Sequence, residues 1–257
     1  MTEQTTQKKY ELLKDDTVEH LGRTLYRIKA LITFGLVGAG QLGGYIETEK
    51  NLDHSGNAWV YDNALVYGDA RVYGNACVYD NALVYGDARV YGNARVYGNA
   101  LVYGDARVYG NAWVYDNALV YGDARVYGNA CVYDNALVYG DARVYGNARV
   151  YGDACVYGDA WVYGNALVYG NARVFGNAWV RSLAVISERK MIFWASNVGS
   201  EKGTLTVFNG KFGLIVTRGC FTGTVDEFLS KSKEVHDDKT HHEYKLLIEV
   251  AQSRILN

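Results

Sequence analysis

From Val60 to Val180 a valine falls at every sixth position, and an alanine stands two residues before each one, from Ala58 through Ala178 and on to Ala184. So strict a period dictates a stack of small identical units, since one unit alone cannot bury its apolar face. The unit reads V-Y-(G/D)-(N/D)-A-x, in which A-x-V-Y alternates in size and polarity while the remaining two residues are of the kind that turns prefer. Each hexad is therefore one short strand and one corner. Alternation sends Ala and Val to one side of the strand and the variable residue and Tyr to the other. The uniform pair faces inward, because stacked coils share one cross-section. Corner pairs such as Gly68-Asp69, Asp80-Asn81 and Gly92-Asn93 tolerate left-handed backbone. The chain has no proline among its 257 residues, as stacked strands that need every N–H demand.

The variable position sets the size of a coil. Every third hexad gives a leucine column (Leu65, Leu83, Leu101, Leu119, Leu137), an arginine column (Arg71, Arg89, Arg107, Arg125, Arg143) and a mixed column (Trp59, Cys77, Arg95, Trp113, Cys131, Arg149). The period is 18 residues, three strands per coil, and residues 58–186 supply about seven coils. Residues 113–152 repeat residues 59–98 letter for letter, a duplication of three coils. After Arg149 the order shifts to Cys155, Trp161, Leu167, Arg173 and Trp179, so the last coils carry a different surface. The open strand edges at the two ends require caps. Residues 1–57 form an N-terminal capping segment with strands over Lys9 to Leu13 and Thr24 to Thr33. Residues 187–257 form a C-terminal α+β module. Its strands run over Met191 to Ser196, Thr204 to Asn209 and Phe212 to Thr217, with Asn209-Gly210 as the hairpin turn. Two helices follow, each opened by a capping box, Thr224 with Glu227 and Thr240 with Glu243.

The spacing of an aliphatic residue and a small one four positions later, with Val60 and Ala64 as the first full pair, resembles the hexapeptide-repeat left-handed parallel β-helix proteins over roughly residues 58–186. The stretch Leu25-Tyr26-Arg27-Ile28-Lys29-Ala30-Leu31, with Gly40-Gln41-Leu42-Gly43-Gly44-Tyr45-Ile46-Glu47 and Asn51-Leu52, resembles the leader of uncharacterised hexapeptide-repeat proteins of enterobacteria and phages, many of them labelled transferases. Gly219-Cys220-Phe221-Thr222-Gly223-Thr224 with Glu227-Phe228 resembles a short module of phage-encoded proteins. The resemblance implies a mainly β fold, a left-handed parallel β-helix with an N-terminal β cap and a small C-terminal α+β module. It further implies trimeric acyltransferases that bind an acyl donor between neighbouring helices and use a histidine base from the coil region. The five histidines here are His20, His54, His236, His241 and His242, so none lies between residues 55 and 235. No catalytic residue and no cofactor are therefore expected, and an enzyme is the lesser reading.

The outward positions supply the candidate sites. The leucine column, flanked by Tyr67, Tyr85, Tyr103, Tyr121 and Tyr139, forms an apolar face large enough for a protein interface or a homo-oligomer. The alternative is that the chain's own terminal segment folds over it. The tyrosines from Tyr61 to Tyr169 form ladders that either pack on one another or offer an aromatic platform to a carbohydrate or small ligand. The arginine column, with Trp161 and Trp179, is a weaker partner-binding face, because Asp69, Asp87, Asp105, Asp123 and Asp141 stand two residues before each arginine and are expected to pair with them in an exposed ladder. Net charge is −2, and residues 58–186 hold 11 Asp against 9 Arg. That balance argues against nucleic acid as a partner. Cys77, Cys131, Cys155 and Cys220 lack metal-ligand spacing and are expected as free thiols. The cluster His236-Asp237-Asp238 and His241-His242-Glu243 reads as solvated helix-end residues rather than a metal site. No apolar run reaches membrane-span length, and MTEQTTQKKYELLKDD lacks the apolar core of a secretory signal, so a cytoplasmic location is expected. These features describe a non-enzymatic rigid scaffold that binds a protein partner. If the phage resemblance holds, that partner is a host protein, with a role against host defence. An acyltransferase-like enzyme and a carbohydrate or small-ligand binder on the tyrosine ladders are the alternatives.

Overall fold

Each hexad folds as a strand of two or three residues followed by a two-residue corner, as at Leu101–Val102, Arg107–Val108 and Trp113–Val114. The computed structural model describes residues 8–257; residues 1–7 of the N-terminal capping segment lie outside them. The repeat's Ala58 to Ala184 and Val60 to Val180 are fully buried. Burying a valine is worth roughly 1.5–3 kcal/mol, so the valine columns carry the hydrophobic stabilisation while the alanines leave room for it. Strands 18 residues apart pair parallel and in register: Leu101 with Leu83 and Leu119, Arg107 with Arg89 and Arg125, Arg95 with Cys77 and Trp113. At every corner the first residue carries the positive φ, +69° at Gly68, +60° at Asp80 and +70° at Gly92. The chain is a parallel β-solenoid of about eight turns. The turn beyond the seven expected comes from residues before the first hexad. Tyr45 and Ile46 pair parallel with Leu65 and Val66, and Leu52 bridges to Val72, although none of them follows the repeat.

In residues 8–128 the open edge is closed by β1 (Tyr10–His20), β2 (Arg23–Ala30) and β3 (Leu42–Ile46). β1 and β2 form an antiparallel hairpin, and β2 pairs with β3, which joins the first turn. Buried polar groups then satisfy the backbone left over. Lys9 Nζ donates to the Ala58 carbonyl at 2.9 Å, the Tyr10 hydroxyl to Leu52 at 2.6 Å, and Asn51 Nδ2 to both Gly68 and Ala70 at 2.9 Å. Such bonds remove the cost of orphaned carbonyls at the end of a sheet. Trp59 is fully buried, with Tyr10 and Phe34 edge-on to its ring.

In residues 129–257 the last turn is closed by an antiparallel sheet of Ile192–Val198, Gly203–Gly210, Gly213–Arg218 and Phe221–Thr224. The fourth strand was not anticipated. Asn209 Nδ2 donates to Val185 O at 3.0 Å, and Lys211 N to Leu183 O at 2.9 Å. The Thr217 hydroxyl donates to Trp179 O at 2.8 Å, and Thr206 accepts from Trp179 N at 3.1 Å. Because Asn209 is spent on that edge, the hairpin reverses at Lys211-Phe212 instead of Asn209-Gly210. Helices α1 (Val225–Val235) and α2 (Asp238–Leu256) pack Phe228, Tyr244, Ile248, Ala251 and Ile255 on Val198, Leu205, Val207 and Val216. The Thr224/Glu227 capping box opens α1 as expected. α2 starts earlier than Thr240: the Asp237 carboxylate caps it by accepting from Thr240 N, and Glu243 instead accepts from Gly199 N. Among the described residues no helix is long and apolar enough to cross a membrane.

Candidate functional site

The tyrosine ladders settle into mutual packing. Tyr73 on Tyr91, Tyr91 on Tyr109 and Tyr85 on Tyr103 have ring centroids 4.8–4.9 Å apart with planes within 3° of parallel. Each ring's faces are covered by the rings above and below, so the ladders present edges and hydroxyls. A platform for sugars or nucleobases needs open ring faces, and that geometry is absent from these stacks. Burial also holds the Tyr73 phenol above its usual range; Tyr91 adds to the rise, and Arg89, Arg107 and Arg71 oppose it.

The leucine face is partly covered by the chain itself. Leu25 packs on Leu65 and Tyr67, with Val18, Tyr45, Leu83 and Tyr85 around them. His20 lies 5.3 Å from the Tyr67 ring and shares a 3.4 Å hydrogen bond with its hydroxyl. Leu65 and Tyr67 are therefore buried, while Leu83, Leu101 and Leu119 with Tyr85, Tyr103 and Tyr121 are half-buried along the same face. In residues 129–257, Leu137 pairs with Cys155 and Tyr139 with Tyr157.

The arginine face departs from expectation. Arg71, Arg89, Arg107 and Arg125 stand in register, one strand apart. The aspartates do not pair with them: among the described residues, the ion pairs within 4.0 Å lie in the N-terminal segment and in α1, and none involves an array arginine. Asp69 and its equivalents occupy exposed corners, the arginines the flat beside the tyrosines. An exposed pair gains too little to hold two long side chains in one geometry, so both stay hydrated. In residues 129–257 the column changes character. The Arg143 guanidinium lies 4.7 Å over the Trp161 ring, and Trp161 stacks on Trp179 at 5.1 Å. Those groups satisfy one another through a cation–π contact.

At the head of the arginine column a cleft of about 440 Å³ is lined by Glu49, Asp53, His54, Arg71, Tyr73 and Arg89, among others. Its acids are already engaged. Glu49 accepts from Lys8 at 2.7 Å, which with His54 holds its carboxyl below the usual range. Asp53 accepts from the Ser55 backbone and hydroxyl. Among the described residues Arg71 and Arg89 have no ion-pair partner within 4.0 Å. His54, stacked on Tyr10 at 4.3 Å, accepts the Lys9 backbone N–H on Nδ1 at 3.2 Å, and its buried Nε2 lies 3.6 Å from Glu49. His54 lies in the N-terminal cap as expected, but the cleft has no signal in the sequence, because β3 and the segment behind it carry no repeat pattern. The four cysteines are free thiols, and among the described residues no group of three metal-ligating side chains converges.

Ten segments between residues 58 and 182 match the model of the YdcK β-solenoid repeat. The uncharacterized acetyltransferase YdcK of Escherichia coli (strain K12) is 37% identical over 70 residues, which is 27% of this chain and 21% of that protein. The match thus spans about a fifth of the relative's length.

Proposed function

We propose that this chain, whose residues 58–182 are built of YdcK β-solenoid repeats, is a rigid, non-enzymatic scaffold of the cytoplasm that binds an extended acidic segment of a partner protein along its arginine column. The observation that carries this reading is the in-register row Arg71, Arg89, Arg107 and Arg125, which among the described residues has no carboxylate within 4.0 Å. Guanidinium forks on long side chains can each engage a carboxylate of an extended acidic segment, and coils without insertions hold the row straight. The balance of Asp and Arg over the array suits a short-range partner better than a nucleic acid, which rewards a one-signed field. Self-association through Leu83, Leu101 and Leu119 belongs to the same reading. The narrower version, in which a phage-encoded chain engages a host defence or regulatory protein, draws on sequence resemblance alone.

Fluorescence anisotropy with a labelled decaglutamate peptide tests it. The wild type is expected to bind, more weakly as salt rises, and the Arg89→Gln/Arg107→Gln variant to bind roughly tenfold more weakly. No binding by the wild type overturns the reading. Light scattering on the wild type and a Leu83, Leu101 and Leu119→Ser variant tests assembly, with an oligomer becoming a folded monomer as the expected result.

Acetyl transfer is the second reading, favoured by the relative's name and by His54 in the cleft. The imidazole's geometry places it second. A general base needs a free nitrogen aimed at the substrate, whereas Nδ1 is occupied by Lys9 N–H and Nε2 is buried beside Glu49. Turnover of acetyl-CoA that is lost in His54→Gln would promote this reading over the first.

A further inference from the structure

The second departure from the repeat lies in the final coils, where Arg173 stands in the leucine column and Phe175 in the tyrosine ladder. Arg173 pairs in register with Cys155, and Phe175 stacks on Tyr157 at 5.0 Å with planes 2° apart. Trp194, from the strand Ile192–Val198, ends the ladder by meeting Phe175 edge-on at 4.1 Å and 80°. Gly176 makes that approach possible, since a Cβ there would stand 3.0 Å from Trp194 Nε1. Around this aromatic floor, Arg173, Arg189 and Arg254 line a cleft of about 290 Å³ with Tyr157 and Ile192.

No carboxylate lines the cleft, and among the described residues no ion pair within 4.0 Å involves the side chain of any of the three arginines. Four other arginines at the two ends are satisfied by the chain itself. Arg23 pairs with Glu47, Arg27 with Asp16, Arg181 bonds Tyr163 and the carbonyls of Cys220 and Phe221, and Arg218 bonds Tyr244 and Val198 O. The Arg173 and Arg189 charges both reach the Cys155 thiol, where they oppose the rise that burial imposes. Arg254 gains something from the C-terminal end of α2, but that accounts for one of the three. All three are exposed and hydrated, and gathered around one concave floor without a counter-charge they sum to a positive field that attracts an anion from solution.

We propose that this cleft binds a small ligand bearing a phosphate or pyrophosphate group, held by Arg173, Arg189 and Arg254 above the Phe175–Trp194 floor. Three planar forks converging from a coil strand, a 3₁₀ turn and a helix end suit the tetrahedral display of phosphate oxygens better than a single carboxylate.

Calorimetric titration of the full chain with inorganic pyrophosphate tests the site. Arg173→Leu restores the residue that the column carries in earlier coils, so this variant keeps the fold, and Arg254→Gln removes a second fork without touching the coil. The wild type is expected to bind at millimolar ligand or below, and each variant to bind roughly tenfold more weakly, as the loss of one charge-assisted fork implies. Lys14→Gln, on β1 and outside this cleft, is expected to bind pyrophosphate as the wild type does. No heat of binding at about 5 mM pyrophosphate, or equal binding by wild type, Arg173→Leu and Arg254→Gln, would overturn the proposal.

Discussion

At the corners, backbone conformation is decided by single residues. Gly92 has φ +70°, and a Cβ there would lie 3.0 Å from Gly110 N. Gly92→Ala therefore combines left-handed strain with a backbone contact and is expected to cost about 1–2 kcal/mol. Asp116 already holds a Cβ at φ +57°, so Asp116→Gly should fall within about 0.5 kcal/mol of wild type, strain relief offsetting unfolded-chain entropy. Urea unfolding of the two variants checks the contrast, and equal costs would contradict it. The corner residues were legible because turn chemistry is local. The asparagine ladder, in which Asn57, Asn75, Asn93 and Asn111 bond amide to amide at 3.0–3.1 Å, was present in the sequence as an 18-residue recurrence but looked like turn preference alone. Lys9 and Arg181 were not legible at all. Lys9 is buried because its amine reaches Ala58 O, and Arg181 sits in a tyrosine position because its guanidinium bonds carbonyls of the C-terminal sheet. Both roles arise only when distant segments meet.

Single strands show what inward and outward positions are worth. Val102 is fully buried and Leu101, beside it, is half-buried. Val102→Ala is expected to cost about 2 kcal/mol through lost burial and a cavity, and Leu101→Ser to cost less than half of that in the isolated chain. A reversed order in chemical denaturation would contradict the assignment of faces. The alternation that set those faces was fully legible, since a period of two leaves no freedom about which side a residue takes. The starts of α2 and of the hairpin turn were missed for a different reason: Asp237 and Glu243 compete for capping duty, and Asn209 is recruited by the last coil. The same contacts resolve what the C-terminal module does to the solenoid. The sheet closes the open edge, while α1 and α2 cover Leu205, Val207 and Val216 on it. Truncation after Thr224 should therefore expose that apolar face and cause aggregation in size-exclusion chromatography; a soluble, monodisperse product would contradict this account.

For the chain as a whole, buried titratable groups set the response to alkali. Burial lowers the Lys9 amine from 10.5 to about 8, with Asp53 opposing. Between those values the unfolded chain holds a proton that the folded one has released, so stability rises with pH, by at most roughly 1.4 kcal/mol per pH unit. Tyrosines act with the opposite sign. Burial raises Tyr61 and Tyr67 from 10.0 to about 12, and raises Tyr73, Tyr79, Tyr85 and Tyr103 as well. Their contribution is complete below pH 10 and is lost above it, where unfolded phenols ionise and stacked ones cannot. The urea midpoint should therefore climb from about pH 8 toward pH 10 and then collapse as phenolate absorbance appears; a steady fall from neutrality would contradict the burial of Lys9. Under the proposed function, an acidic segment is held by several arginines of one repeated row, each contributing a share. Removing the 18 residues 90–107 joins Arg89 to Val108, keeps every column in register and deletes one arginine from the row. The most direct test is decaglutamate binding by this shortened chain. It should stay folded, with cooperative unfolding, and bind the peptide severalfold more weakly than the wild type. A folded chain with unchanged affinity, or one with no affinity at all, would contradict a repeated binding row.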